Sequence, residues 1–147
     1  MEKKIYGIES FLSRPMKLEE EIRRDIDHIA SLRSIVEKTT THLSFTAGRN
    51  PSKNEKAFEN VMIQISEEEA ALAEKQKQLV ECKMEVENLI NCLPKQEHRE
   101  LLRYKYLEGL EMSEIRDVML LAKSTGYDLL SNAMASAEQY LHFIIKN

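Results

Sequence analysis

The chain predicts an all-α protein: a long antiparallel, coiled-coil-like helical hairpin followed by a small domain with a helix-turn-helix layout. Three observations carry that prediction. Only 4 Gly and 3 Pro stand among 147 residues, in a chain rich in Glu, Lys, Leu and Ile, a composition of helices rather than of sheets with many reversals. Two long stretches repeat apolar residues every seven positions and are parted by one polar Gly/Pro segment. From Pro94 onward the pattern shortens to compact helices joined by tight corners. The expected organisation is therefore residues 1–93, an N-terminal helix plus the hairpin, and residues 94–147, the small domain.

The first long helix is expected from about Met16 to Thr41. Its stripe is Ile22, Ile29, Val36 and Leu43, with Leu18, Ile26 and Leu32 alongside. A shorter helix carrying Ile5, Ile8, Phe11 and Leu12 precedes it. Pro15 marks a break, because a proline pushes the residue before it, Arg14, out of the α region; a kinked continuation is the alternative. Gly48, Asn50 and Pro51 make a loop of about residues 44–54, with Phe45 expected to tuck back onto the helix ends. The second long helix runs from about Glu55 to Leu93 on the heptad series Phe58, Ile65, Leu72, Leu79, Val86 and Leu93. Its partner seam is apolar at both ends, with Val61 or Met62 first and Cys82, Leu89 or Ile90 last. Glu68, Glu69, Lys75 and Gln76 interrupt it in the middle. Two helices alone bury little apolar surface, so the hairpin is expected either to form a homodimer or to fold against the C-terminal helices.

Pro94 is expected at the start of the next helix, where its missing N–H costs nothing, with Leu101, Leu102, Tyr104 (or Lys105) and Leu107 as the apolar face. Gly109 suits a left-handed cap. Ser113 is the expected N-cap of a helix with Ile115, Val118 and Met119 inside. A last helix from about Ser124 to Lys146 carries Leu129, Leu130, Ala133, Met134, Ala137, Leu141 and Ile144. Its apolar end, Tyr140 to Ile145, is expected to be buried.

Three short helices with a tight link between the second and third are the layout of a helix-turn-helix. Leu93-Pro94, Arg99, Leu102-Arg103-Tyr104, Gly109-Leu110 and Ile115 make the resemblance specific. This stretch resembles the C-terminal DNA-binding region of sigma factors, and more closely the sigma-like transcriptional regulators of phages and prophages of Gram-positive bacteria, which share the long Glu/Lys-rich hairpin. The resemblance implies promoter DNA as target, RNA polymerase or another host protein as a further partner, and the cytoplasm of a bacterial host as location. It implies base and phosphate contacts from Lys123, Ser124, Thr125, Tyr127 and Asn132, and phosphate contacts from Arg99, Arg103 and Lys105. The chain departs from the pattern after Ile115. Arg116 stands where the family has a small alanine, and Leu120 and Ala122 stand in place of the turn glycine and the serine N-cap. Asp128 faces phosphates and base-edge acceptors unfavourably. These departures motivate the alternative, a protein-interaction module on a degenerate helix-turn-helix.

Other classes are excluded or left without a motif. A formal net charge of −4 argues against a protein that coats nucleic acid non-specifically, although a local basic face remains compatible. No apolar run approaches the roughly 20 residues of a membrane span, and the charged start, Met-Glu-Lys-Lys, argues against a secretory signal. Cys82 and Cys92 lie about 15 Å apart along one helix, too far for a disulfide, and read as small core residues of a reducing cytoplasm. His28, His42, His98 and His142 are scattered, without zinc-ligand spacing. Glu67-Glu68-Glu69 reads as a solvated face, and Tyr104 and Tyr106 as packing residues with hydroxyls in water. No nucleophile elbow, phosphate loop or paired-carboxylate cleft is present. No cofactor, metal or enzymatic activity is expected.

Overall fold

The computed structural model describes the backbone of residues 2–45 and 52–146 and the side chains of residues 7–39 and 55–144. Helix α1 runs Glu2–Phe45. The break expected at Pro15 is absent: the helix continues through the proline. A proline inside a helix forfeits one hydrogen bond and crowds the carbonyl four residues back. The reason it is tolerated lies in its register. Pro15 and Leu12 are fully buried and Ile8 is buried, and Ile8, Pro15, Ile22, Ile29 and Val36 form one unbroken series of sevens. The ring thus serves as a core side chain. Helix α2 spans Ser52–Asn91, so the loop expected over residues 44–54 is shorter at both ends. Residues 46–51 and the side chains of Leu43 and Phe45 lie outside the described residues.

The described residues contain helices and their connections but no strand, and the chain divides into two compact units. One unit, Glu19–Gln78, holds the middle of the hairpin. Asp25 meets Lys75 at 2.7 Å and Arg33 meets Glu69 at 2.6 Å, so the two helices run antiparallel. Ile29, Leu32 and Ile65 form the apolar cluster, with Val36, Val61 and Leu72 packed on it. Ile26, expected alongside the stripe, is 47% exposed, because it follows Asp25, which faces the partner helix, by one residue, about 100° further round the helix. The polar middle of the second helix is matched across the seam, where His28 Nε2 lies 3.1 Å from Glu68 Oε1. The Asp25 carboxylate holds the Lys75 ammonium above its ordinary pKa. These pairs remain a third to a half exposed; such pairs stabilise little but are satisfied in one register only.

The other unit, Met1–Leu18 with Leu79–Asn147, contains the short helices. Helix α3, Gln96–Leu102, continues into a π-helical turn over Arg103–Leu107. Helix α4 is Met112–Met119 and helix α5 is Lys123–Lys146. Pro94 lies just before the N-cap, Lys95, rather than inside α3. Gly109 takes the expected left-handed conformation, φ +74, and lets the Leu110 N–H reach back to the Tyr104 carbonyl at 2.9 Å. The N-cap of α4 is Glu111, not Ser113, and the Glu111 N–H donates to Glu114 Oε1 at 3.2 Å, one arm of a capping box.

A single core gathers all five helices of this unit: Ile8 and Leu12 of α1, Val86, Leu89 and Ile90 of α2, Leu93 just beyond it, Leu101 and Leu102 of α3, Ile115 of α4, and Ala133, Ala137 and Leu141 of α5. Cys82 is also buried, whereas Cys92 is exposed and so is not the core residue expected. Val118, expected inside, is 55% exposed. At the end of α5 Leu141 is buried, but Phe143 is 66% exposed and Ile144 is exposed, contrary to the expectation of a buried end. The last turn runs past the core that Leu141 closes.

Tyr106 is the one phenol buried in this core among the described residues. Its hydroxyl, expected in water, instead donates to Glu9 Oε2 at 2.6 Å and lies 3.7 Å from Met134 Sδ. Burial, then the bond to Glu9, pushes its pKa well above the ordinary 10.0. A folded-state value above the unfolded one means the neutral phenol stabilises the fold below pH 10.0, and this contribution is lost as pH rises past that value. Tyr106→Phe is expected to cost about 1–2 kcal/mol in urea unfolding at neutral pH and to flatten the alkaline decline. A variant as stable as the wild type, with the same alkaline slope, would show that the bond to Glu9 contributes nothing.

Candidate functional site

The α4–α5 corner is a helix-turn-helix with a turn of three residues, Leu120, Leu121 and Ala122. Leu120 adopts φ +57, the left-handed conformation that glycine takes at no steric penalty. The Leu121 N–H then donates to the Arg116 carbonyl at 2.8 Å, and the Gly126 N–H to the Ala122 carbonyl at 2.8 Å. Leu120 therefore occupies the place of a turn glycine and Ala122 that of an N-cap. Alanine has no side-chain acceptor, so the first N–H groups of α5 receive no cap from residue 122, and the helix presents its positive end at this point.

The residues expected to contact DNA separate into two groups. Lys123, Ser124, Thr125, Tyr127 and Asn132 are all exposed on the first three turns of α5, where at 100° per residue they spread over about half of the helix's circumference. Asp128 and Ser131 share that surface. The second group is engaged elsewhere. Arg99 Nη1 donates to the Leu93 carbonyl at 2.6 Å, and Arg103 Nη2 donates to Asn91 Oδ1. Both guanidinium groups thus tie α3 and its π turn to the last residue of α2 and the segment just beyond it. Lys105 lies with Nζ 5.6 Å from the centre of the Tyr106 ring, a cation–π distance. All three are half-buried.

The electrostatics of the corner are mixed. From Glu111 to Asn132 the chain carries Glu111, Glu114, Asp117 and Asp128 against Arg116 and Lys123. All four carboxylate residues are exposed, whereas Arg116 is half-buried. Beside them stand exposed apolar groups: Leu120 is 90% exposed, and Val118 and Tyr127 are about half exposed. His98 lies outside this surface. It is buried with Nδ1 unpartnered, and burial, then Lys95, holds its imidazole below its ordinary pKa. Among the described residues no three His, Cys, Asp or Glu side chains group as metal ligands, and no helix is long and apolar enough to cross a membrane.

A family described as "Protein of unknown function (DUF1492)" matches residues 44–138. The chain belongs to that family. The matched span takes in α2, α3, α4 and most of α5, and so contains the whole helix-turn-helix corner, while nearly all of α1 lies before it. Comparison with curated proteins and with solved structures finds no match.

Two outcomes follow from the corner and its arginines. Leu120→Gly is expected to raise stability by about 1 kcal/mol, because a left-handed leucine is strained and this one gains almost nothing from burial; an unchanged or lower denaturation midpoint would show that the leucine is held by contacts. Arg99→Ala is expected to cost about 1–3 kcal/mol by leaving the Leu93 carbonyl without its donor. An Arg99→Ala protein as stable as the wild type would free Arg99 for the phosphate role.

Proposed function

We propose that this chain is a phage-type transcriptional regulator whose sigma-like helix-turn-helix engages promoter DNA, acting with RNA polymerase in the cytoplasm of a bacterial host. The observation that carries the reading is the corner itself. A three-residue turn sets α5 against α4 and leaves Lys123, Ser124 and Thr125 exposed at its positive end, where Ala122 offers no side-chain acceptor. Such a helix start attracts phosphate, and the polar side chains beside it are of the types that read base edges in the major groove. The sigma-like residues from Leu93 to Ile115 support the same reading. Lys123 is the leading cation, and Ser124, Thr125, Tyr127 and Asn132 are the exposed polar residues that follow it on the proposed reading helix. Arg99 and Arg103 contribute by holding the domain on the end of α2. The hairpin then serves to dimerise or to recruit a partner.

One observation favours a second reading, a protein-interaction module that holds a host protein. Val118, Leu120 and Tyr127 are exposed beside Asp117 and Asp128, a mixture that suits a protein surface better than a phosphate backbone. Selection from fragmented DNA of the source replicon separates the two. With purified protein at low salt, enrichment of one intergenic fragment is expected under the first reading. Retention falls steeply with salt, and Lys123→Ala is expected to reduce the log–log slope by about one. Uniform or absent recovery would overturn the DNA reading and leave the protein-binding one.

A further inference from the structure

Gly126 lies inside α5, one turn from its start, where glycine is a poorer helix former than any residue but proline. Its surroundings explain its presence. A Cβ at this position would fall 2.8 Å from Arg116 Cγ and 2.9 Å from Arg116 Cδ, with Met112 Cε at 3.9 Å. The two close atoms belong to the middle of the arginine stem, not to its free end. The stem is also tethered beyond them, because Arg116 Nε donates to the Met112 carbonyl at 3.4 Å. The arginine therefore lies across α5 in the space that a side chain at residue 126 would fill.

We infer that Arg116 and Gly126 are a matched pair that sets how closely α4 and α5 approach, and with it the presentation of Lys123, Ser124 and Thr125. A large residue on α4 is compatible with close packing because the small one stands opposite it on α5. Arg116 and Gly126 are positioning residues, acting on the reading surface through the crossing of the two helices. This role rests on the helix-turn-helix reading of the corner.

The test is a double-mutant cycle on the full chain with two readouts, thermal midpoint and retention of the selected DNA fragment. In an unobstructed helix Gly→Ala raises the midpoint. Gly126→Ala is expected to lower it by several degrees, because a packed stem must move. In the Arg116→Ala background the sign reverses, and adding Gly126→Ala raises the midpoint. DNA retention is lost in Gly126→Ala and regained in the double variant. A midpoint raised by Gly126→Ala alone overturns the matched pair. Should Gly126→Ala fail to fold, the comparison of Arg116→Ala with the double variant decides, and a fall on adding Gly126→Ala overturns the pair. The expected midpoints with DNA retention intact in Gly126→Ala overturn the positioning role. A wild type that retains no DNA defeats the proposed function instead, and leaves the midpoints to judge the pair.

Discussion

Helices of seven and eight residues do not hold together by themselves in water, and that constraint shapes the unit that contains α3 and α4. An isolated helix shorter than roughly 12 residues is marginal even with favourable composition. Its stability has to come from an apolar face pressed against something longer. Here the longer elements are the opening of α1 and the closing turns of α2, which bury Ile8, Leu12, Val86, Leu89 and Ile90 against Leu101, Leu102 and Ile115. The small helical domain is thus built around the hairpin's own ends. Arg99, Arg103 and Tyr106 add directional bonds to a contact that is otherwise apolar.

Periodicity made the long helices legible, and local chemistry obscured their edges. The heptads place Ile22, Ile29, Ile65 and Val86 in the core, where they are found. The proline rule points to a break at Pro15, yet the same series of sevens passes through that residue, and burial of the ring outweighs the lost hydrogen bond. The interrupted seam around Glu68 and Lys75 reads as weakness in one helix taken alone. It becomes a set of matched pairs only when Asp25, His28 and Arg33 are placed opposite. Gly109 was readable from turn chemistry, whereas the π turn before it was not, since no residue type marks a widened turn in a single sequence. Serine caps helices more often than glutamate and so points to Ser113, but the Glu111-x-x-Glu114 spacing is the better guide to the cap of α4.

The candidate site was legible in part for the same reason. The polar run from Lys123 to Asn132 has a composition that is exposed on almost any helix, and it is exposed here. The arginines could not be assigned from sequence, because a guanidinium that reaches a phosphate and one that reaches a carbonyl look alike until the carbonyl is located. Arg116 illustrates the converse. Taken alone it reads as an obstacle to close helix packing, and only the glycine ten residues later, on the facing helix, shows how it is accommodated.

The match to residues 44–138 also separates the unit of descent from the unit of folding. The shared segment keeps Val86, Leu89, Ile90 and Leu93 but omits Ile8 and Leu12, which cover them, and Glu9, which accepts the Tyr106 hydroxyl. Leu141, which closes the core at the other end, also falls outside it. A fragment cut at the limits of common ancestry would expose the face on which its short helices depend. In this chain the opening of α1 supplies that cover, through Ile8 and Leu12 in the core and Glu9 on the Tyr106 hydroxyl.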